Sequence, residues 1–288
     1  MNENKDKIIN GKALYTPKGA ALEYGRIGCN FYTGCPHDCA YCYLKRGAPS
    51  KQLGGTEVRL KKCFKDEKHA LQVFCKEVMQ HRDQLKRTGV FFSFTTDPMI
   101  PDTIELTMQA LLFLQDMGIP SYVLTKNADF IDYELFHTYM TGLNVRDLLH
   151  FGFTLTGRDD MEPNASSNYD RIVAIKLMHQ WGFSTFASIE PVIDWQSSER
   201  VVIDSLPYCD HYKLGLRSGV KRDYYDIAES SDAILRIMGR VMAHGKTIYL
   251  KESIRKMLQQ HLETPEYEQL LSLTVNMDGT IYNQTKEE

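Results

Sequence analysis

The segment TGCPHDCAYCYL, Thr33 to Leu44, sets Cys35, Cys39 and Cys42 at the spacing C-x3-C-x2-C. Thiols this close can pair as disulfides or grip a soft metal as thiolates. Seven cysteines is an odd number, and MNENKDKIIN at the start has no apolar core of a secretory signal. The chain therefore reads as cytoplasmic, where disulfides are the weaker explanation. Zinc sites usually divide their ligands into two separated pairs. Here three cysteines share one loop and no second pair follows, although Cys29 or His37 could complete a zinc site. Three thiols on one loop suit an iron–sulfur cluster, in which each sulfur goes to a different iron. A four-iron cluster would keep one iron without a protein ligand, and an open metal position is what catalysis needs.

The elements that must position this loop follow from hydrophobic period. Lys68 to Thr88 carries Leu71, Phe74, Val78 and Leu85 at helical spacing, and GVFFSFTTDP after it reads as a buried strand. Asp102 and Glu105 form a capping-box pattern before Ile104, Met108, Leu111 and Leu112, which share a helical face. Strands are expected at IGCNFYTG, at Ser121 to Asn127, Leu148 to Gly157 and Phe183 to Ile193, and at HYKLGLRS and KTIYLKES. Helices are expected at Phe130 to Thr141, around Ile172 to Trp181, Glu199 to Leu206 and Ser231 to His244. Six or seven strand–helix units with short apolar strands argue for an α/β fold, a partial (βα)6-type TIM barrel with helical cover. The expected layout is an N-terminal extension over 1–27, a barrel over 28–255, and a C-terminal helix and polar tail over 256–288.

In such a barrel the working groups sit at the C-terminal ends of strands. Those positions hold the cysteine loop, Ser93 to Asp97, Thr125 and Lys126, Thr154 to Thr156, Glu190, and Lys213 to Arg217. Glu190 is a strand-end carboxylate, and Arg217 could grip a carboxylate or another anion bidentately.

C-x3-C-x2-C after the first strand of a (βα) barrel resembles the signature of radical S-adenosylmethionine (SAM) enzymes, and Tyr41 before the third cysteine fits their pattern. NFYTGCPHDCAYCYL, FSFTTDP, VLTKNA, FTLTG with MEPNASSNYDR, and SIEPVI are similar, in order, to the spore photoproduct lyase-like branch from about Tyr15 to Ser253. The resemblance implies that Cys35, Cys39 and Cys42 hold a [4Fe-4S] cluster whose open iron binds SAM. One electron from the cluster then cleaves SAM to a 5'-deoxyadenosyl radical, so a one-electron reductant, flavodoxin- or ferredoxin-like, is an implied partner. It also implies SAM contacts at Tyr41, at Ser93, Thr95, Thr96 and Asp97, and at Lys126, Thr154 and Glu190, while Arg217, expected at a strand end, could anchor a SAM carboxylate or an anionic substrate. The lyases proper use a further cysteine near the second strand end as hydrogen donor. Between Phe91 and Pro101 this chain has none, which points away from photoproduct repair itself.

The resemblance directs the substrate expectation to nucleic acid, with a peptide or small molecule as the alternative. A zinc or iron–sulfur nucleic-acid-binding module is the non-enzymatic alternative. Net charge of -3 gives no global pull on nucleic acid, but a local groove remains compatible with it. VRLKKCFKDEK and KLGLRSGVKRDYY mix basic and aromatic residues in a manner suited to phosphate and base contact, although interspersed acids make a solvated surface the simpler reading. Cys29, Cys63, Cys75 and Cys209 are expected as structural residues. No apolar run approaches the ~18 residues of a membrane span.

Overall fold

The computed structural model describes residues 6–142, 146–221 and 223–275, the side chains of 47–49 excepted. The polar tail expected after Val275 and Arg222 of the basic stretch lie outside the described residues. The fold is mixed α/β with a large, mostly parallel sheet. The chain divides into two compact units: the first takes the chain up to Phe151 with Glu162–Ser166 and Gly182–Ser184, the second takes Gly152–Met161, Ser167–Trp181 and the chain from Thr185.

In the first unit β1 (Leu14–Tyr15) pairs antiparallel with β2 (Gly28–Cys29). The hairpin partners β3 (Tyr32–Thr33) and β4 (Arg59–Leu60) flank helix α1 (Gly47–Gln52). Helices α2 (Glu67–Gln80) and α3 (Arg82–Thr88) lead to β5 (Val90–Phe92). Next come α4 (Ile104–Asp116), β6 (Ser121–Thr125) and α5 (Glu134–Met140). Strands β2, β5 and β6 run parallel in that order.

Three of these elements depart from the sequence reading for physical reasons. The single strand expected at IGCNFYTG is two, because Asn30 between them spends its side chain on the Phe94 N–H (2.8 Å) and the Tyr15 hydroxyl (2.9 Å). The helix expected over Lys68 to Thr88 breaks at His81, whose backbone (φ -119°, ψ 16°) leaves helical geometry. The capping box at Asp102 and Glu105 does not form. Thr103 stands at the cap position, and its buried hydroxyl donates instead to the Asp97 carbonyl at 2.8 Å.

Helix α2 holds the unit together in two ways. Phe74 meets Phe31 edge-on at 5.5 Å and Phe92 at 6.2 Å, packing the helix on β5. Each such buried ring contributes roughly 1.5–3 kcal/mol. On the same helix Glu77 accepts the backbone N–H groups of Lys12, Ala13 and Leu14 at 2.7, 3.1 and 2.8 Å, which anchors β1.

The chain passes through β7 (Leu149–Thr154) and α6 (Asn168–Gln180) to β8 (Ser184–Val192), α7 (Trp195–Ser205), β9 (His211–Leu216), α8 (Ile227–Ala243), β10 (Thr247–Leu250), α9 (Glu252–Leu258) and α10 (Thr264–Ser272). In the second unit β8, β9 and β10 are successive parallel neighbours. Helices α7 and α8 begin earlier than their apolar pattern suggests, since Asp194 accepts the Ser197 N–H at 2.7 Å and Asp226 accepts the Glu229 N–H at 2.8 Å. Such caps satisfy donors that a first turn otherwise strands. Among the described residues no helix is long and apolar enough to cross a membrane.

Candidate active site

Strand β3 delivers the chain to the cysteine loop, and Gly34 makes the turn. Its φ of 82° favours glycine, and a Cβ there would collide with the Glu57 carbonyl. The segment before β4 holds the loop entrance, because Gly34 donates to Leu53 O at 3.1 Å and Cys35 to Gly55 O at 2.9 Å. Asp38, at φ 53°, reverses the chain between the first two cysteines. All three loop thiols are free, with Cys39 buried and Cys35 and Cys42 half-buried.

Burial pushes the Cys35 thiol up to about 12; the Asp97 charge adds to this, while the His37 N–H and Lys126 oppose it. Burial also raises Cys39, with Lys126 opposing and Glu162 adding. The two thiols therefore share an environment with Lys126, and a metal entering it must displace their protons.

Asp97, at the end of the loop after β5, makes four side-chain hydrogen bonds. Its Oδ1 accepts the Met99 N–H at 2.9 Å and the Thr125 hydroxyl at 2.7 Å. Its Oδ2 accepts the Lys126 N–H at 2.7 Å and meets His37 Nε2 at 2.8 Å. The other ring nitrogen, His37 Nδ1, lies 3.0 Å from the Asn164 carbonyl. A carbonyl and a carboxylate both accept, so the arrangement favours a ring that donates from both nitrogens. The shifts agree. Burial alone would lower His37, but Asp97 and Asn164 raise it overall, and His37 with two backbone N–H groups holds Asp97 below the usual carboxylate range despite its burial.

Around this pair stand the other groups of the first unit. The Tyr41 hydroxyl donates to Glu162, which is 2% exposed, and Lys126 Nζ lies 5.6 Å from the Tyr41 ring centre. Ser93 donates to Thr96 O at 2.6 Å, and Thr95 to Tyr32 O at 2.5 Å. Thr96 Oγ1 is buried without a hydrogen-bond partner. Such an orphan is rare enough to ask for a ligand. Three thiols with no carboxylate among them are a soft donor set, which fits an iron–sulfur cluster, and the Thr96 hydroxyl fits a polar group arriving beside it. Among the described residues no three His, Cys, Asp or Glu side chains converge on one metal ion. A cubane cluster asks for another layout, one thiolate per iron.

Three expected residues belong to the second unit. The Thr154 carbonyl accepts Arg171 Nη1 at 2.6 Å, and Arg171 is fully buried. Glu190 pairs with Lys251 at 2.6 Å across Gly215, where a Cβ would lie 2.8 Å from both side chains. Arg217 lies 5.9 Å from the Tyr224 ring centre, and its Nε is buried without a hydrogen-bond partner. Tyr225 fixes the strand end beneath it by donating to Val192 O at 2.6 Å and accepting the Arg217 N–H at 2.9 Å.

Sequence reasoning missed Glu162, Asn164 and Lys251 as site neighbours. For the first two the signal was the stretch MEPNASSNYDR, singled out only by resemblance. Lys251 stands directly after a strand, the position that marked Lys126.

The fold so described is shared with solved enzymes. Two variants of spore photoproduct lyase match it: a tyrosine-to-phenylalanine mutant (TM-score 0.59, 12% identity, 86% of this chain and 79% of that one) and a cysteine-to-alanine mutant (TM-score 0.60, 15% identity, 86% and 81%). In sequence the chain is 23% identical over 220 residues to an uncharacterized protein of Methanocaldococcus jannaschii, covering 73% of this chain and 77% of that one. No protein-family model matches it.

Proposed function

We propose that this protein is a radical SAM enzyme built on a partial (βα)6-type barrel, with Cys35, Cys39 and Cys42 as the ligands of a [4Fe-4S] cluster. One observation carries the reading: three free thiols share a single loop, two of them, Cys35 and Cys39, in the field of Lys126, in a fold shared with spore photoproduct lyase. Bound there, cluster and SAM together supply one-electron cleavage of the sulfonium. The chain's own residues hold and orient. Lys126 offers a cation to the SAM carboxylate, Thr96 a hydroxyl to its polar end, and Tyr41, fixed by Glu162, an aromatic face. The resemblance directs the substrate search to nucleic acid, and a one-electron reductant is the partner required.

Anaerobic reconstitution with iron and sulfide, then dithionite and SAM, tests the reading. About four irons per chain are expected, with 5'-deoxyadenosine formed only when reductant is present. Cys35→Ala, Cys39→Ala and Cys42→Ala should each lose cluster or product, and Cys209→Ala neither. Uptake of one zinc in place of iron, or full activity in any of the first three variants, would overturn it.

A further inference from the structure

We propose that His37 and Asp97 form a positioning clamp for the cysteine loop, and that neither contacts iron or SAM. What the loop holds rests on the function proposed above; the clamp rests on geometry alone.

An ionised carboxylate offers about four lone-pair sites. Asp97 has all four engaged: by Met99, Thr125, Lys126 and His37, at 2.7–2.9 Å. It is also 6% exposed, so no face remains for a ligand. The resemblance would place a SAM contact across Ser93 to Asp97, and in this chain the unpartnered acceptor and donor of that stretch is Thr96 Oγ1, not Asp97. His37 is equally committed. With both ring nitrogens donating, it has no lone pair to give a metal.

The clamp acts on the sulfurs through short lengths of chain. His37 lies between Cys35 and Cys39, two residues from each and separated from the first by Pro36. Moving the ring therefore moves both thiols. Asp97 Oδ2 meets the His37 ring and the Lys126 N–H together, so one oxygen fixes the cysteine loop relative to the residue beside those thiols. Asn164 closes the other side: it accepts from the ring, donates from Nδ2 to Pro36 O at 3.0 Å, and carries Glu162 two residues away to Tyr41. A displacement of about 1 Å in such a constellation can cost 10²-fold in rate, which gives a rigid support its value.

Two measurements test the clamp. The first uses the metal-free protein and needs no cluster: alkylation rates of individual cysteines, read by mass spectrometry. His37→Ala and Asp97→Asn should raise the rates at Cys35 and Cys39 several-fold and leave Cys209 unchanged. His37→Gln, whose amide can still donate to Asp97, should lie between. The second reads the midpoint potential of the reconstituted cluster. His37→Ala frees the loop and should shift it, whereas His37→Gln, which keeps a donor to Asp97, should shift it less, a graded rescue tied to that hydrogen bond. Wild-type alkylation rates in His37→Ala, or a potential moved as far by His37→Gln as by His37→Ala, would overturn the proposal. If Asp97→Asn does not fold, the His37 pair carries the test. A wild-type protein that takes up no iron would defeat the proposed function, while the alkylation rates would still decide for or against the clamp.

Discussion

Lys251 is 2% exposed at its side chain and meets Glu190, 21% exposed, at 2.6 Å. Removing one member of a buried pair costs about 3–5 kcal/mol, because the other charge stays behind. The partial exposure of Glu190 trims this, so Lys251→Met should lose roughly 2–3 kcal/mol of unfolding free energy by urea titration. The double variant with Glu190→Gln should recover part of the loss; equal losses in single and double variants would refute the coupling. Legibility at this scale depended on how far chemistry is written into residue type. Cysteines at fixed spacing declare themselves, and so does a lysine after a strand. Glu162 does not, because its partner Tyr41 is 121 residues away and nothing local marks a carboxylate as buried.

Elements carry their own constraints. Gly152 in β7 faces the Phe186 ring so closely that a Cβ would overlap it. The ring is buried and cannot withdraw, so Gly152→Ala should cost about 1–3 kcal/mol, visible as a lowered melting temperature, with an unchanged melt counting against the packing described. Asp226 caps α8 through a 2.8 Å bond to Glu229 N, and Asp226→Ala should cost about 1 kcal/mol in the same assay, whereas Asp226→Ser should retain most of the cap. The sequence exposed the order of strands and helices because apolar period survives in short runs. Boundaries were harder, since they depend on where single side chains spend their hydrogen bonds. Asp194 and Asp226 start helices before the apolar pattern does, and Thr103 is drawn away to Asp97, so the capping box its neighbours promised never closes.

At the scale of the whole molecule, acid stability is set by carboxylates such as Asp194 and Asp210. Burial alone would raise both, but the Ser197 N–H and Arg158 hold Asp194 down, and Thr185 with Lys246 holds Asp210 down. A carboxyl lowered in the folded state contributes stability that is present above its unfolded pKa of about 3.9 and is lost as pH falls through the folded value. Melting temperature should therefore drop as pH falls below about 4, less steeply in Asp194→Asn; identical pH profiles would remove Asp194 from the explanation. Net charge of -3 says little about a substrate, but salt does. If nucleic acid is bound through phosphates, affinity should fall steeply and log-linearly with salt, while a flat response would favour a small molecule or peptide. The Glu77 latch on β1 has a consequence in time. Lys12, Ala13 and Leu14 precede their acceptor by 65, 64 and 63 residues, so at about 5–20 residues per second the ribosome exposes them several seconds before Glu77 exists. The first strand of the chain is thus made early and placed late, and a nascent protein stalled short of α2 would present that strand to whatever else could pair with it.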